Sequence, residues 1–150
     1  AHQPELRRMP PPEAQGWAHR AGQRVGSFAA RWPVAACLLL GAALFLPFLG
    51  RVALFDWDEI NFAEAAREML VTGDWLTVQI DFAPFWEKPP LFIWLQAVSM
   101  AVIGVNEFAA RLPNALVGMA TLAVVQRLGT RAAGGDARLG WLWVACFVGS

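Results

Sequence analysis

Tyrosine is absent from the 150 residues, lysine occurs once, at Lys88, and cysteine and histidine occur twice each. Cys37 and Cys146 both lie inside apolar runs, which argues against a disulfide framework and against a thiolate metal site. His2 and His19 stand far from the acidic clusters, so no local histidine–carboxylate set with metal-ligand spacing exists. Charge is scarce as well: 16% of residues are charged and 57% hydrophobic, with a mean hydropathy of +0.41. A soluble domain carries about 25% charged residues. These figures exclude a disordered chain and argue against an ordinary soluble globule. Twelve basic residues cancel twelve acidic ones, leaving no global basic field to attract nucleic acid. A phosphate-cradling glycine loop, a GxSxG elbow and an internal repeat are also missing.

What is present is strongly segregated. Residues 1–32 hold five arginines against Glu5 and Glu13, whereas 55–88 hold eight of the twelve acids against only Arg67 and Lys88. Such asymmetry across an apolar stretch predicts a membrane protein of oriented topology. Residues 1–32, rich in Pro, Gly, Ala and Arg, read as a flexible cytoplasmic tail. Residues 33–55 form an apolar run broken only by Arg51, which predicts a first transmembrane helix of about 34 Å. A cleaved signal peptide competes with this reading, but the tail is long for one and no small-x-small site follows the run.

The segment 56–106 is expected to be an outer loop with juxtamembrane helices. Within it, 61–70 predicts a short amphipathic helix with Phe62, Ala65, Ala66, Met69 and Leu70 on one face. Glu64, Arg67 and Glu68 fall on the other, with Asp58 placed to cap the start and Gly73 to end it. LTVQIDF at 76–82 looks extended, and Pro89–Pro90 open an apolar helix over 89–104 that is too short to span. Residues 107–126 predict a second transmembrane helix. The stretch 127–138, with Arg127, Arg131 and Arg138 against Asp136, predicts a cytoplasmic loop. A third span begins at 139 and is cut at Ser150. The chain therefore reads as the N-terminal part of a longer protein, and these residues alone are expected to be inactive.

Two polar clusters adjoin the membrane, FDWDEINFAEAARE at 55–68 and FWEKPP at 85–90. A desolvated carboxylate among Asp56, Asp58 and Glu59 could act as a base with a raised pKa, or could simply cap a helix. Glu87 and Lys88 read either as part of an anion site suited to phosphate or as an interfacial ion pair. Trp57, Trp75, Trp86 and Trp94 read as an interfacial aromatic belt rather than a sugar-stacking platform.

The ordered set of a membrane span, DE opening a FAEAAREM helix, TGDW, WEKPPLFIWLQA and GVNEFAARLPNA carries a resemblance. It resembles the N-terminal region of the polytopic glycosyltransferases that include the lipid A aminoarabinose transferases and the protein O-mannosyltransferases, of the GT-C fold class. The resemblance covers about residues 34–138 and implies an all-α, polytopic transmembrane fold. It also implies inverting transfer of a sugar from a polyprenyl-phosphate donor to a lipid, glycan or protein acceptor, on the non-cytoplasmic face of a bacterial inner membrane. On this reading Asp58, followed by Glu59, lies at the reaction centre. Lys88 meets the carrier phosphate, and Glu87 joins it in substrate binding and contacts a metal in some members. A divalent metal stays open as a cofactor, and no nucleotide is required. Many members have Arg and Tyr three and four positions after the motif's Asp; here Asn61 and Phe62 stand there. Asp56 is an additional acid without an assigned role. A non-catalytic membrane scaffold is the main competing function, and a lipid transporter ranks lower because the spans are nearly free of charge.

Overall fold

The computed structural model describes residues 26–55 and 57–150. Most of the expected tail, with both histidines, and Asp56 lie outside the described residues. The fold is all-α apart from one small hairpin: α1 Pro33–Phe45, α2 Asp58–Thr72, β1 Gln79–Ile80, β2 Ala83–Pro84, α3 Pro90–Ile103, α4 Glu107–Ala132 and α5 Ala137–Val148. A helical segment at 26–31 leads into α1.

α1 stops ten residues short of the expected span. Pro47 has no N–H to donate back and disfavours helix in the residue before it. The chain leaves the helix through a turn in which Phe48 takes a left-handed φ of 66°. Thirteen helical residues reach only about 20 Å. α4 runs the other way, past the expected end at 126 to Ala132, because Gln126, Arg127 and Leu128 are good helix formers. The expected loop at 127–138 thereby shrinks to a turn through Gly134 and Gly135, with φ of 66° and 101°. Asp136 then caps α5 by accepting from the Arg138 amide at 2.9 Å. Among the described residues α4 is the one helix long and apolar enough to cross a membrane; α1, α3 and α5 are shorter apolar helices.

Two cores hold these elements. α1, α4 and α5 pack around Cys37, Leu122 and Val144. Close helix approach there depends on glycine: a Cβ on Gly129 would lie 3.0 Å from Gly140 Cα, and one on Gly41 would lie 2.8 Å from Met119 Cγ. The second core joins α2, α3 and the start of α4 through Ala63, Ala66, Met69, Ile93, Ala97 and Ala110.

α2 begins three residues before the expected helix. Asp58 is its first residue, not its cap; Trp57 holds the cap position and no side chain bonds to the end amides. Gly73 ends it in the left-handed conformation, as its sequence position suggested. Glu68 departs from the expected polar face and is 1% exposed. The reason is the hairpin, which folds back over α2 so that the Phe82 amide donates to Glu68 Oε2 at 3.0 Å.

Candidate functional site

The site starts from a break in the backbone. Trp57 adopts φ 94°, a region costly for any residue with a Cβ, and this twist turns the chain from 53–55 into α2. Asp58 and Glu59 follow in the first helical turn, where exposed amide dipoles favour carboxylates. The two acids then part company.

Glu59 is bound on both oxygens. Arg111 Nε donates to Oε1 at 2.6 Å and Nη2 to Oε2 at 2.9 Å, and the Phe55 amide donates to Oε2 at 2.6 Å. The hydrogen bonds from Arg111 hold the Glu59 carboxyl below the ordinary carboxylate range, outweighing partial burial, which acts upward. The sequence argument allowed a raised pKa for an acid in this cluster; for Glu59 the direction is reversed. Arg111 spends its remaining donors on main chain: Nη1 to the Leu49 and Val52 carbonyls at 2.9 and 2.7 Å, and Nη2 to that of Ala53 at 3.0 Å. All five guanidinium N–H groups are thus engaged. The carbonyls they meet belong to the stretch that Pro47 releases from α1.

Asp58 is far more open. Among the described residues its one ion pair is with Lys88, Nζ to Oδ1 at 3.1 Å, with side chains 61% and 31% exposed. Lys88 Nζ also lies 5.5 Å from the centroid of the Phe62 ring, which meets Phe92 edge-on at 5.4 Å. The fold therefore brings together Asp58 and Lys88, thirty positions apart in sequence, with the Lys88 ammonium over the Phe62 ring. Glu87 is not brought in. It is exposed, has no ion-pair partner among the described residues, and joins no group of three or more metal-ligating side chains there.

Asp58 also lines a cleft of about 500 Å³ between α2, α3 and α4. Asp58, Glu59, Phe62, Gln96, Arg111 and Asn114 line it, with Phe55, Trp57 and Phe92. Its lining is mostly apolar, with the carboxylates of Asp58 and Glu59, the Arg111 guanidinium and the amides of Gln96 and Asn114 among it.

Residues 34–150 match the family described as dolichyl-phosphate-mannose-protein mannosyltransferase. The chain belongs to this family. Among curated members, an undecaprenyl phosphate-alpha-4-amino-4-deoxy-L-arabinose arabinosyl transferase of Pseudomonas fluorescens is 31% identical over 75% of the chain and 20% of its own length. The corresponding transferase of Shewanella sediminis is 36% identical over 48% of the chain and 13% of its own. The apo crystal structure of ArnT from Cupriavidus metallidurans superposes with a TM-score of 0.61 and 31% identity, over 71% of this chain and 20% of that one. The all-α GT-C fold follows from these matches, and the chain spans about one fifth of the length of the Pseudomonas and Cupriavidus relatives.

Three polar residues of the cleft are not among those expected from the sequence. Arg111 was legible only as a charge interrupting the start of an apolar helix, a position that by itself signals a function. Gln96 and Asn114 gave no signal at all, since an amide on an otherwise apolar helix has no periodicity of its own.

Proposed function

We propose that this chain carries part of the active site of a membrane glycosyltransferase that moves a sugar from a polyprenyl-phosphate carrier to a lipid, glycan or protein acceptor. The observation that carries the reading is the Lys88–Asp58 pair at 3.1 Å, in which Asp58 also lines the cleft. A carrier phosphate arriving there competes with Asp58 for the ammonium, and pairing with it frees the carboxylate. Asp58 then accepts the proton of the acceptor hydroxyl as the oxygen bonds to the anomeric carbon. The bond from that carbon to the phosphate oxygen breaks with its electron pair going to the phosphate, whose growing charge Lys88 holds. If the acceptor is itself a phosphate, no proton moves, and Asp58 orients the reacting groups.

Glu59, locked by Arg111, serves by fixing the backbone that presents Asp58. Glu87, exposed beside Lys88, is the residue left for a carrier headgroup or a metal contact. The segregation of charge supports a periplasmic setting for 56–106 in a bacterial inner membrane.

Three substitutions at two positions in the full-length protein separate the roles. Asp58→Asn lowers turnover by about 10²-fold while carrier binding persists. Lys88→Met, which keeps the apolar stem, loses binding of undecaprenyl phosphate in detergent, and Lys88→Arg retains part of it. Unchanged carrier binding in Lys88→Met would return the pair to an interfacial role.

A further inference from the structure

Gln96 lines the cleft and takes no part in the transfer step. It sits in the middle of α3, 2% exposed, and forms part of the cleft lining with Asp58 and Arg111. Its amide orientation is determined by chemistry. Nε2 donates to the Ala110 carbonyl at 2.8 Å, and a carbonyl cannot accept from Oε1. Oε1 is therefore turned away from that contact, and it meets no donor among the described residues. A buried amide oxygen without a donor is destabilising, and native structures seldom retain one without a use.

The carbonyl that anchors Gln96 lies next to that of Ala109. Pro113 has no N–H to donate to the Ala109 carbonyl, so the turn carrying Ala110, Arg111 and Asn114 lacks one internal hydrogen bond. Gln96 ties this turn to α3 through its donor end, and its acceptor end stays buried and unpaired in a side chain that lines the cleft. An uncharged acceptor of this kind selects a hydroxyl. A cationic group entering the same cleft has a carboxylate in Asp58, already met by an ammonium at 3.1 Å, and gains more there than from a neutral amide.

We infer that Gln96 is a specificity-determining contact, its Oε1 accepting a hydrogen bond from one hydroxyl of the transferred sugar while Lys88 holds the carrier phosphate. The inference rests on the transferase reading and adds the position at which the sugar itself is recognised. A site with a buried acceptor discriminates against analogues that lack the matching donor, because the acceptor is then left unpaired.

The test uses the full-length protein in detergent and two donors, undecaprenyl phosphate-4-amino-4-deoxy-L-arabinose and undecaprenyl phosphate-mannose, with undecaprenyl phosphate as the sugar-free probe. Gln96→Met is expected to weaken the better sugar-linked donor about tenfold and to leave undecaprenyl phosphate unchanged. One monodeoxy analogue of that donor should lose the same factor on the unsubstituted protein and nothing further on the variant. Gln96→Asn keeps an amide but withdraws it by one methylene, and it repeats the comparison if Met disturbs folding. Several results overturn the inference: equal loss of sugar-linked and sugar-free carrier, no loss of either, deoxy effects that persist undiminished in the variants, or a sugar that adds nothing to carrier binding. Failure of the protein to bind undecaprenyl phosphate at all overturns the transferase reading instead, and the inference with it.

Discussion

Arg111 joins three stretches of chain with one side chain: α4, which carries it, the released segment 49–53, and the first turn of α2. Its planar fork matches the Glu59 carboxylate on two oxygens and still reaches three carbonyls. Lysine offers three donors on one point and cannot reproduce that geometry. Arg111→Lys is therefore expected to destabilise the protein by about 2 kcal/mol, the scale of a charge-assisted hydrogen bond lost at a part-buried site. The pH dependence has a definite sign. Because Glu59 is held below its ordinary value, its pairing stabilises fully above the unfolded carboxylate range near about pH 4.3 and is lost as pH falls through the lower folded value. Thermal unfolding in detergent from neutral to acid pH should show this acid limb in the native protein, and Glu59→Gln should start less stable and flatten it. A limb of unchanged depth in Glu59→Gln would remove Glu59 as its source.

At the scale of elements, the hairpin between α2 and α3 sets where Lys88 emerges. Ile80 pairs with Ala83, leaving Asp81 and Phe82 as a two-residue loop with φ of 54° and 57°. That is the turn that matches strand twist, but it normally calls on Asn-Gly. Neither residue here is glycine, and the cost is offset by Glu68, which receives the Phe82 amide from beneath. Glu68→Gln keeps an acceptor and should leave that amide protected from hydrogen exchange, whereas Glu68→Leu should speed its exchange about tenfold. Equal protection in both variants would show that the turn holds without the acid.

The same elements show what sequence pattern reveals. Gly73 and the Pro89–Pro90 pair act through their own backbones, so their positions announced a helix end and a helix start. Pro47 acts the same way but sits in an unbroken apolar run, and hydropathy registers the solvent around a segment, not its hydrogen bonding. Glu68 shows the complementary limit: helix periodicity assigns a face, but a hairpin fourteen residues on decides whether that face meets water. Asp58 and Lys88 were recognised through motif order. The partner of Glu59 was not, because Arg111 lies 52 positions beyond it and nothing in the intervening pattern links them.

For the whole molecule, orientation decides which side of the membrane the cleft faces. The acids of the α2–hairpin–α3 unit lie at one end of α4, and Arg127, Arg131 and Arg138 cluster around its other end, by the turn at 133–135. α4 is long enough to separate those groups by a bilayer, since 26 residues rise about 39 Å. Arginine excess in a short connection predicts the cytoplasmic side, which puts the cleft and the Lys88–Asp58 pair on the opposite face. With Cys37 and Cys146 replaced, a cysteine introduced at Asp74 should react in intact cells with a thiol reagent that cannot cross the inner membrane. One introduced at Gly134 should react only after the membrane is opened. Asp74 suits the purpose because it lies outside every helix and strand, in the bend after Gly73. Gly134 has a positive φ, so a small loss of stability is expected there, and Ala133 provides a second position in the same turn. Reaction at 134 or 133 with none at 74 would place the acidic unit in the cytoplasm and deny the cleft a donor presented on the outer leaflet. Reaction at both from outside would mean that α4 does not cross, and the arginines would then have to be explained by an interface other than the membrane's inner surface.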